Sequence, residues 1–294
     1  IIDQTEGAVR VTGDVFAHGS SSSGGQITLN SLGTVPGSVY QISGSVAADG
    51  ATGGKINLAS AGSQMIIGGS SALSDYISGS VSAVGSTGAG GNIVINNTLA
   101  GPTNLSLLSS VTVAGAAGND GLITFSNAGD FTLVGGVNGR TVGRVALSSP
   151  QNIDAQFVAA NYQLKLQSAT SSNLILKNTG AGSSILVSGT VDASNTLDIQ
   201  APIIVNSSGA LINAGGGTGT VTATTLTNSG TIRSAGLLTV AAPTLTNFGT
   251  LQSTGANTSI NTTTFNNDGV VRSIPGGTIN ITNSTTNPLA ITGT

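Results

Sequence analysis

Leu226-Thr-Asn-Ser-Gly-Thr-Ile-Arg-Ser-Ala-Gly and, 19 residues further on, Leu245-Thr-Asn-Phe-Gly-Thr-Leu-Gln-Ser-Thr-Gly are two copies of one unit. The unit recurs between Ile185 and Thr282 around a glycine that opens a strand-like run. The runs are Gly189-Thr-Val-Asp-Ala, Gly209-Ala-Leu-Ile-Asn, Gly230-Thr-Ile-Arg-Ser, Gly249-Thr-Leu-Gln-Ser and Gly269-Val-Val-Arg-Ser, spaced by 20, 21, 19 and 20 residues. Four positions before each glycine stands an apolar residue (Ile185, Val205, Leu226, Leu245, Phe265), and two positions after it another (Val191, Leu211, Ile232, Leu251, Val271). A fixed period near 20 with apolar columns in register is how a solenoid of short strands appears in sequence. The glycines are expected at tight corners where φ can be positive, with three short strands in each repeat.

Asn228, Asn247 and Asn267 each lie two residues before a corner glycine. Stacked repeats would set them one above another as a structural amide ladder.

The first half repeats with a longer period. Gly13-Asp-Val-Phe-Ala-His-Gly, Gly44-Ser-Val-Ala-Ala-Asp-Gly, Gly79-Ser-Val-Ser-Ala-Val-Gly and Ser109-Ser-Val-Thr-Val-Ala-Gly align on Val15, Val46, Val81 and Val111, which are 31, 35 and 30 residues apart. A Gly/Ser-rich loop such as Ser20 to Gly24 then leads to a second strand: Gly25-Gln-Ile-Thr-Leu, Gly54-Lys-Ile-Asn-Leu, Gly91-Asn-Ile-Val-Ile and Gly121-Leu-Ile-Thr-Phe. The alternation is that of strands buried on one face.

Between the halves, over Val137 to Asn178, the repeat blurs. The window holds Arg140, Arg144, Lys165 and Lys177, four of the 8 basic residues, with Phe157 and Tyr162. It reads as two irregular turns or a loop protruding from the stack. Exposed aromatic and basic side chains together would mark a contact surface, against the plainer reading that they cover a change of turn size.

These patterns predict an all-β chain: one continuous solenoid of stacked strands over 1–294. Long repeats fill 1–136, an irregular transition 137–184, and short repeats of about 20 residues 185–294. Roughly eleven turns at ~4.8 Å each give a length on the order of 50 Å. Strand-like sequence runs close to both ends (Ala8-Val-Arg-Val; Thr278-Ile-Asn-Ile and Leu289-Ala-Ile). The expectation is therefore a longer native protein or ends that stack on other copies. The opening Ile1-Ile-Asp-Gln-Thr, neither an initiator Met nor a signal peptide, reads as a processed product or excised piece.

Composition narrows the function. Charged residues are 6% of the chain, against roughly 25% in ordinary soluble domains. The 38% of hydrophobic residues, at regular spacing, argues against disorder. With no cysteine, disulfides and thiolate metal sites are excluded. A net charge of −3 offers no basic footprint for nucleic acid or anionic lipid, and no apolar run approaches the length of a membrane span.

The Leu226 and Leu245 units resemble the haemagglutinin-repeat region of filamentous haemagglutinin-like exoproteins, large bacterial adhesins exported by two-partner secretion. The Gly-Gly-x-Ile-x-Leu units of the first half look like turns of large β-helical surface proteins. The resemblance covers nearly all of the chain and is weak between Val137 and Asn178. It implies a single right-handed parallel β-helix (solenoid), and a secreted, cell-surface stalk or repeat segment without enzymatic activity or cofactor, whose partners are flanking turns or other copies end to end, and host or matrix glycans. The Asn-Pro-Asn-Gly motif of the family's secretion domain is absent from this sequence.

A self-assembling filament, sheath or surface layer would use the same repeats. A polysaccharide-cleaving β-helix needs clustered carboxylates, whereas the 11 acids are scattered. The best constellation is His18 with Asp49, at equivalent positions of consecutive repeats and roughly 5 Å apart at the backbone, with Asp14 nearby; a solvated surface pair is the plainer reading. Asn119-Asp-Gly lacks the recurring spacing of a calcium-binding nonapeptide, and no Gly-Lys-Ser/Thr phosphate loop occurs. Arg233 and Arg272 fall at equivalent outward positions with Gln252 between them, suited to an acidic glycan or simply to solubility. Asn-x-Ser/Thr sequons stand at Asn96, Asn104, Asn206, Asn257, Asn261, Asn280 and Asn283.

Overall fold

Alternation of β-branched and polar residues produces strands over most of the described chain. A computed structural model describes residues 2–4, 9–31, 39–61, 64–67, 79–98, 101–283 and 290–292. Ala8 and Leu289, the outer ends of the two terminal runs, lie outside the described residues. The described chain is all-β with long parallel sheets; its only helical element is a short 3-10 turn, Ala116–Gly118. It forms two compact units, Ile1–Ala159 and Ala160–Thr294.

In the first unit, strands sharing one sequence position in each repeat pair side by side. Val15, Val46, Val81, Val111 and Thr141 align in one parallel sheet. Ile27, Ile56, Ile93, Ile123 and Val145 align in a second set. Met65, Leu105, Leu133 and Ala155 align in a third. The second set shows the physical pattern: in Gln26–Ser31, Ile27, Leu29 and Ser31 are buried while their neighbours face outward. Parallel sheets covered on both faces carry continuous apolar runs; the alternation here belongs to sheets with one face in solvent.

The repeat shortens without breaking. Ile93 to Ile123 is 30 positions and Ile123 to Val145 is 22. In the longer repeat, strand Ser110–Thr112 reaches strand Leu122–Asn127 through a loop containing the 3-10 turn. In the next, Gly143 alone separates Arg140–Val142 from Arg144–Ser148, at φ 131, where a side chain would be strained. Within the expected transition lie the strands Arg140–Val142, Arg144–Ser148, Asn152–Phe157, Gln163–Ser171 and Asn173–Asn178, and the register of Gln163–Ser171 against Ser184–Ala193 shifts between Leu166 and Ser168. Losing a surface loop changes the period, not the strand pairing.

The second unit keeps three aligned sets. Leu164, Ile185, Ile204, Leu226, Leu245 and Phe265 form one column, all buried. Ala169, Val191, Ile212, Ile232, Leu251 and Val271 form the next, buried except for the half-buried Val271. Each fully buried aliphatic side chain contributes about 1.5–3 kcal/mol relative to exposure. Two expected members are displaced by one position: Ile204 and Ile212 hold the columns, while Val205 and Leu211 are half-buried beside them. The cause is an expanded corner. Ala210, not Gly209, is the counterpart of Gly230, and Gly209 sits at φ 76 in a turn closed by Ala210 N–H donating to the Ser207 carbonyl at 3.0 Å.

Positive φ is therefore not the general role of the corner glycines. Gly249 has no positive φ, yet a Cβ there would overlap the carbonyl of Gly230 in the preceding repeat. Close backbone stacking, rather than corner geometry, excludes a side chain at that point.

Candidate functional site

Stacking in register turns any polar residue repeated at one position into a column. The inward example is the asparagine ladder. Asn228 Nδ2 donates to Asn247 Oδ1, and Asn247 Nδ2 to Asn267 Oδ1, each at 2.7 Å. The same amides donate to the Thr250 and Val270 carbonyls at 3.2 and 3.3 Å. The ladder starts one repeat earlier than expected, because Asn206 Nδ2 donates to Asn228 Oδ1 at 2.7 Å. Aligning on Gly209 hides this residue, since the expanded corner moves Asn206 four positions ahead of Ala210. Asn206, Asn228 and Asn247 are fully buried. The Oδ1 of Asn206 has no donor: its counterpart in the preceding repeat is Val187. The sequon at Asn206 is thus closed to glycan attachment in the folded chain, whereas Asn104, Asn257, Asn261 and Asn280 are exposed.

The outward example was only half visible in sequence. Asp192, Asn213, Arg233, Gln252 and Arg272 align in successive repeats. Asn213 Nδ2 donates to Asp192 Oδ1 at 2.6 Å, Arg233 Nε to Asn213 Oδ1 at 2.8 Å, and Arg272 Nε to Gln252 Oε1 at 2.8 Å. Arg233 stands between two surface hollows, one lined by Leu211, Thr231 and Thr250 and the other by Asn213, Ala235 and Thr254.

The candidate contact surface of the middle window does not form as expected. Phe157 and Tyr162 are core residues, 0% and 4% exposed. Phe157 ends strand Asn152–Phe157 at an inward position, and Tyr162 precedes strand Gln163–Ser171 in phase with its inward Leu164, a placement the blurred period concealed. Arg140 and Arg144 are exposed on the first unit, with Arg144 Nε donating to the Asp120 carbonyl at 3.3 Å. Lys165 and Lys177 belong to the second unit, where Lys177 pairs with Asp198 at 3.8 Å. Phe157 and Tyr162, being buried, add no exposed aromatic face beside these cations.

His18 and Asp49 do line one surface hollow, with Ser20, Val84 and Ser86. The Asp49 carboxylate, however, turns to the next repeat and accepts from Val84 N–H at 2.7 Å and Ser82 Oγ at 3.0 Å. His18 lies against the Phe16 ring, with centroids 4.9 Å apart. Asp14 accepts from Ser45 N–H at 3.0 Å, and Asp120 from Gly115 N–H at 3.4 Å. These carboxylates tie backbone to backbone. Among the described residues no three His, Cys, Asp or Glu side chains gather as metal ligands, and no helix is long and apolar enough to cross a membrane. Comparison with protein-family models, with curated proteins and with solved structures returns no match.

Proposed function

We propose that the chain is a structural, non-enzymatic stalk segment of a secreted bacterial surface adhesin, in which the parallel strands wind as a right-handed β-helix of about eleven turns at ~4.8 Å each. Right-handedness follows from the near-universal hand of crossovers between parallel strands. The observation that carries the reading is the side-chain ladder: four consecutive repeats are joined by identical 2.7 Å amide bonds from Asn206 to Asn267. Such bonds run between repeats, so they resist pulling repeats apart, which is what a stalk needs. The polar groups outside the ladder support the same role, since Asp14, Asp49, Asp120 and Asp130 accept from backbone N–H groups. End-to-end contacts with flanking turns or further copies, and glycans as distal ligands, belong to this reading.

Antibodies raised against the second unit test it on intact cells that make the protein. Labelling that is abolished by external protease is expected. Signal only after the cells are opened would overturn the reading. Purified chain that grows into fibres as its concentration rises would replace it with a self-assembling subunit.

A further inference from the structure

The 8 basic side chains of this chain are thinly spread, yet two of them occupy one outward column with a single repeat between them. We propose that the face carrying Arg233 and Arg272 binds a linear acidic polysaccharide, a chain of uronic-acid sugars, through its carboxylates.

Three features make these arginines more than solubilising charges. First, both are oriented through Nε alone, Arg233 by Asn213 and Arg272 by Gln252, at 2.8 Å each. Asn213 is itself held by Asp192, and Gln252 is only 7% exposed. The holders are thus fixed parts of the stack. Second, the Nη groups of both guanidinium ions have no acceptor among the described residues, although both side chains are exposed. An aimed guanidinium with its outer donors open suits a carboxylate, which accepts them as a fork. Third, the hollows beside Arg233 are floored by Gly209, Gly230 and Gly249 on one side and Gly215 on the other, and edged by threonines. Threonine hydroxyls and backbone groups there can hydrogen-bond sugar hydroxyls, and the glycines leave room for a ring to approach.

Spacing selects a polymer over a single acid. The two arginines are two strand spacings apart, ~9.6 Å at the backbone. Their mutual repulsion at that distance is about 0.4 kcal/mol in water, which a polyanion crossing both would relieve. Two other charges bear on this face. Asp192 heads the column and is engaged by Asn213, and Asp268 is exposed at the corner before Val270. Both repel a polyanion, so the chain is expected to run over the Arg233–Arg272 stretch and not beyond it.

The test is calorimetric titration of the full chain with polygalacturonate and with its fully methyl-esterified form, which keeps the sugars and removes the charge. Binding of the acid form only, weakened in 1 M salt, is expected. The Arg233→Gln, Arg272→Gln double variant should bind at least about tenfold more weakly, and Asn213→Ala, which frees Arg233 without removing its charge, a few-fold more weakly. Glutamine is already present in this column at 252, so the double variant should keep the wild-type urea midpoint. Absence of binding by the wild-type chain would overturn the proposal. So would equal binding of the ester, equal binding by the double variant, or equal binding of a polyphosphate, which has no sugar ring to fill the hollows. A failure of surface labelling would leave these outcomes untouched, so the two readings fail separately.

Discussion

Asn228 is the residue whose replacement discriminates most sharply between a ladder that holds the repeats together and one that merely fills space. Asn228→Ala deletes three hydrogen bonds: the amide steps from Asn206 and to Asn247, and the bond to the Thr250 carbonyl. Asn247 Oδ1 loses its donor in a fully buried position, which costs ~1–3 kcal/mol, and the other two bonds are worth about 1 kcal/mol each. A loss of about 4 kcal/mol is expected, a large share of the 5–15 kcal/mol typical of a domain. Asn228→Asp is the near-isosteric partner experiment. Its carboxylate still accepts from Asn206 but meets Asn247 Oδ1 acceptor to acceptor; only the protonated acid can donate there. The folded state therefore binds the proton more tightly than the unfolded chain, and the pKa rises above the unfolded value of about 3.9. The sign follows: relative to wild type, the variant is most stable below about pH 4. It loses ~1.4 kcal/mol per unit as the pH climbs towards the folded-state pKa. Urea unfolding followed by far-UV circular dichroism, with wild type measured at each pH, cancels the other carboxylates. Exchange of the Ile232 and Leu251 amides reads the local repeat where unfolding is not all-or-none. An alanine deficit under ~1 kcal/mol, or an aspartate deficit that persists in acid, would refute the ladder as a stabilising element.

Val187→Thr places a hydroxyl where Asn206 Oδ1 lacks a donor; stability should stay within about 0.5 kcal/mol of wild type, while Val240→Thr, stacked between Val221 and Ile260, should lose ~1–3 kcal/mol. Equal losses in urea titrations would show that the orphan acceptor does not face Val187. Gly249→Ala should lower the urea midpoint more than Gly209→Ala, because it drives a methyl group into the Gly230 carbonyl, whereas Gly209→Ala pays only the left-handed backbone cost of ~1–2 kcal/mol. Phe157→Ala should cost about 3–5 kcal/mol as a core deletion; a near-neutral result would return Phe157 to the surface.

Positions facing the core were legible wherever the repeat length was constant or its change fell in a loop. Val15, Val46, Val81 and Val111 align as their spacing implies, although that spacing varies from 30 to 35, because strands keep a period of two and loops absorb the remainder. Legibility failed where an insertion sat inside the repeated motif. The two extra corner residues before Ala210 shifted Val205 and Leu211 into the apolar columns on paper and hid Asn206 from the ladder. Phe157 and Tyr162 were misplaced for a related reason: removing one loop shortened the repeat by eight positions and erased the period by which their inward facing could be read. The outward column was seen only from Arg233 to Arg272, with Gln252 between them; Asp192 and Asn213 join it only when the strands are stacked.

The aliphatic columns explain cohesion but not uniqueness. Sliding the second unit by one whole repeat would set Ile232 beside Val271 or Val191 with little change in apolar burial, so those contacts alone leave the register of the stack nearly degenerate. The asparagine ladder narrows the choice, because a slip within it would break one of its amide steps and leave a further buried amide without its partner. The polar bridges that occur once complete it. Asn173 Oδ1 accepts from Asn195, from the Thr196 amide and from the Thr196 hydroxyl. Asn257 accepts from the Thr278 amide at 2.8 Å, and in the first unit Asp49 from Ser82 and Val84 and Asp130 from Asn152. Each joins a side chain present in one repeat to a group in the next, and each would be orphaned by a slip, at ~1–3 kcal/mol wherever the group is buried. A chain with so few charges thus uses Asp49 and Asp130, together with Asn173 and Asn257, as register marks.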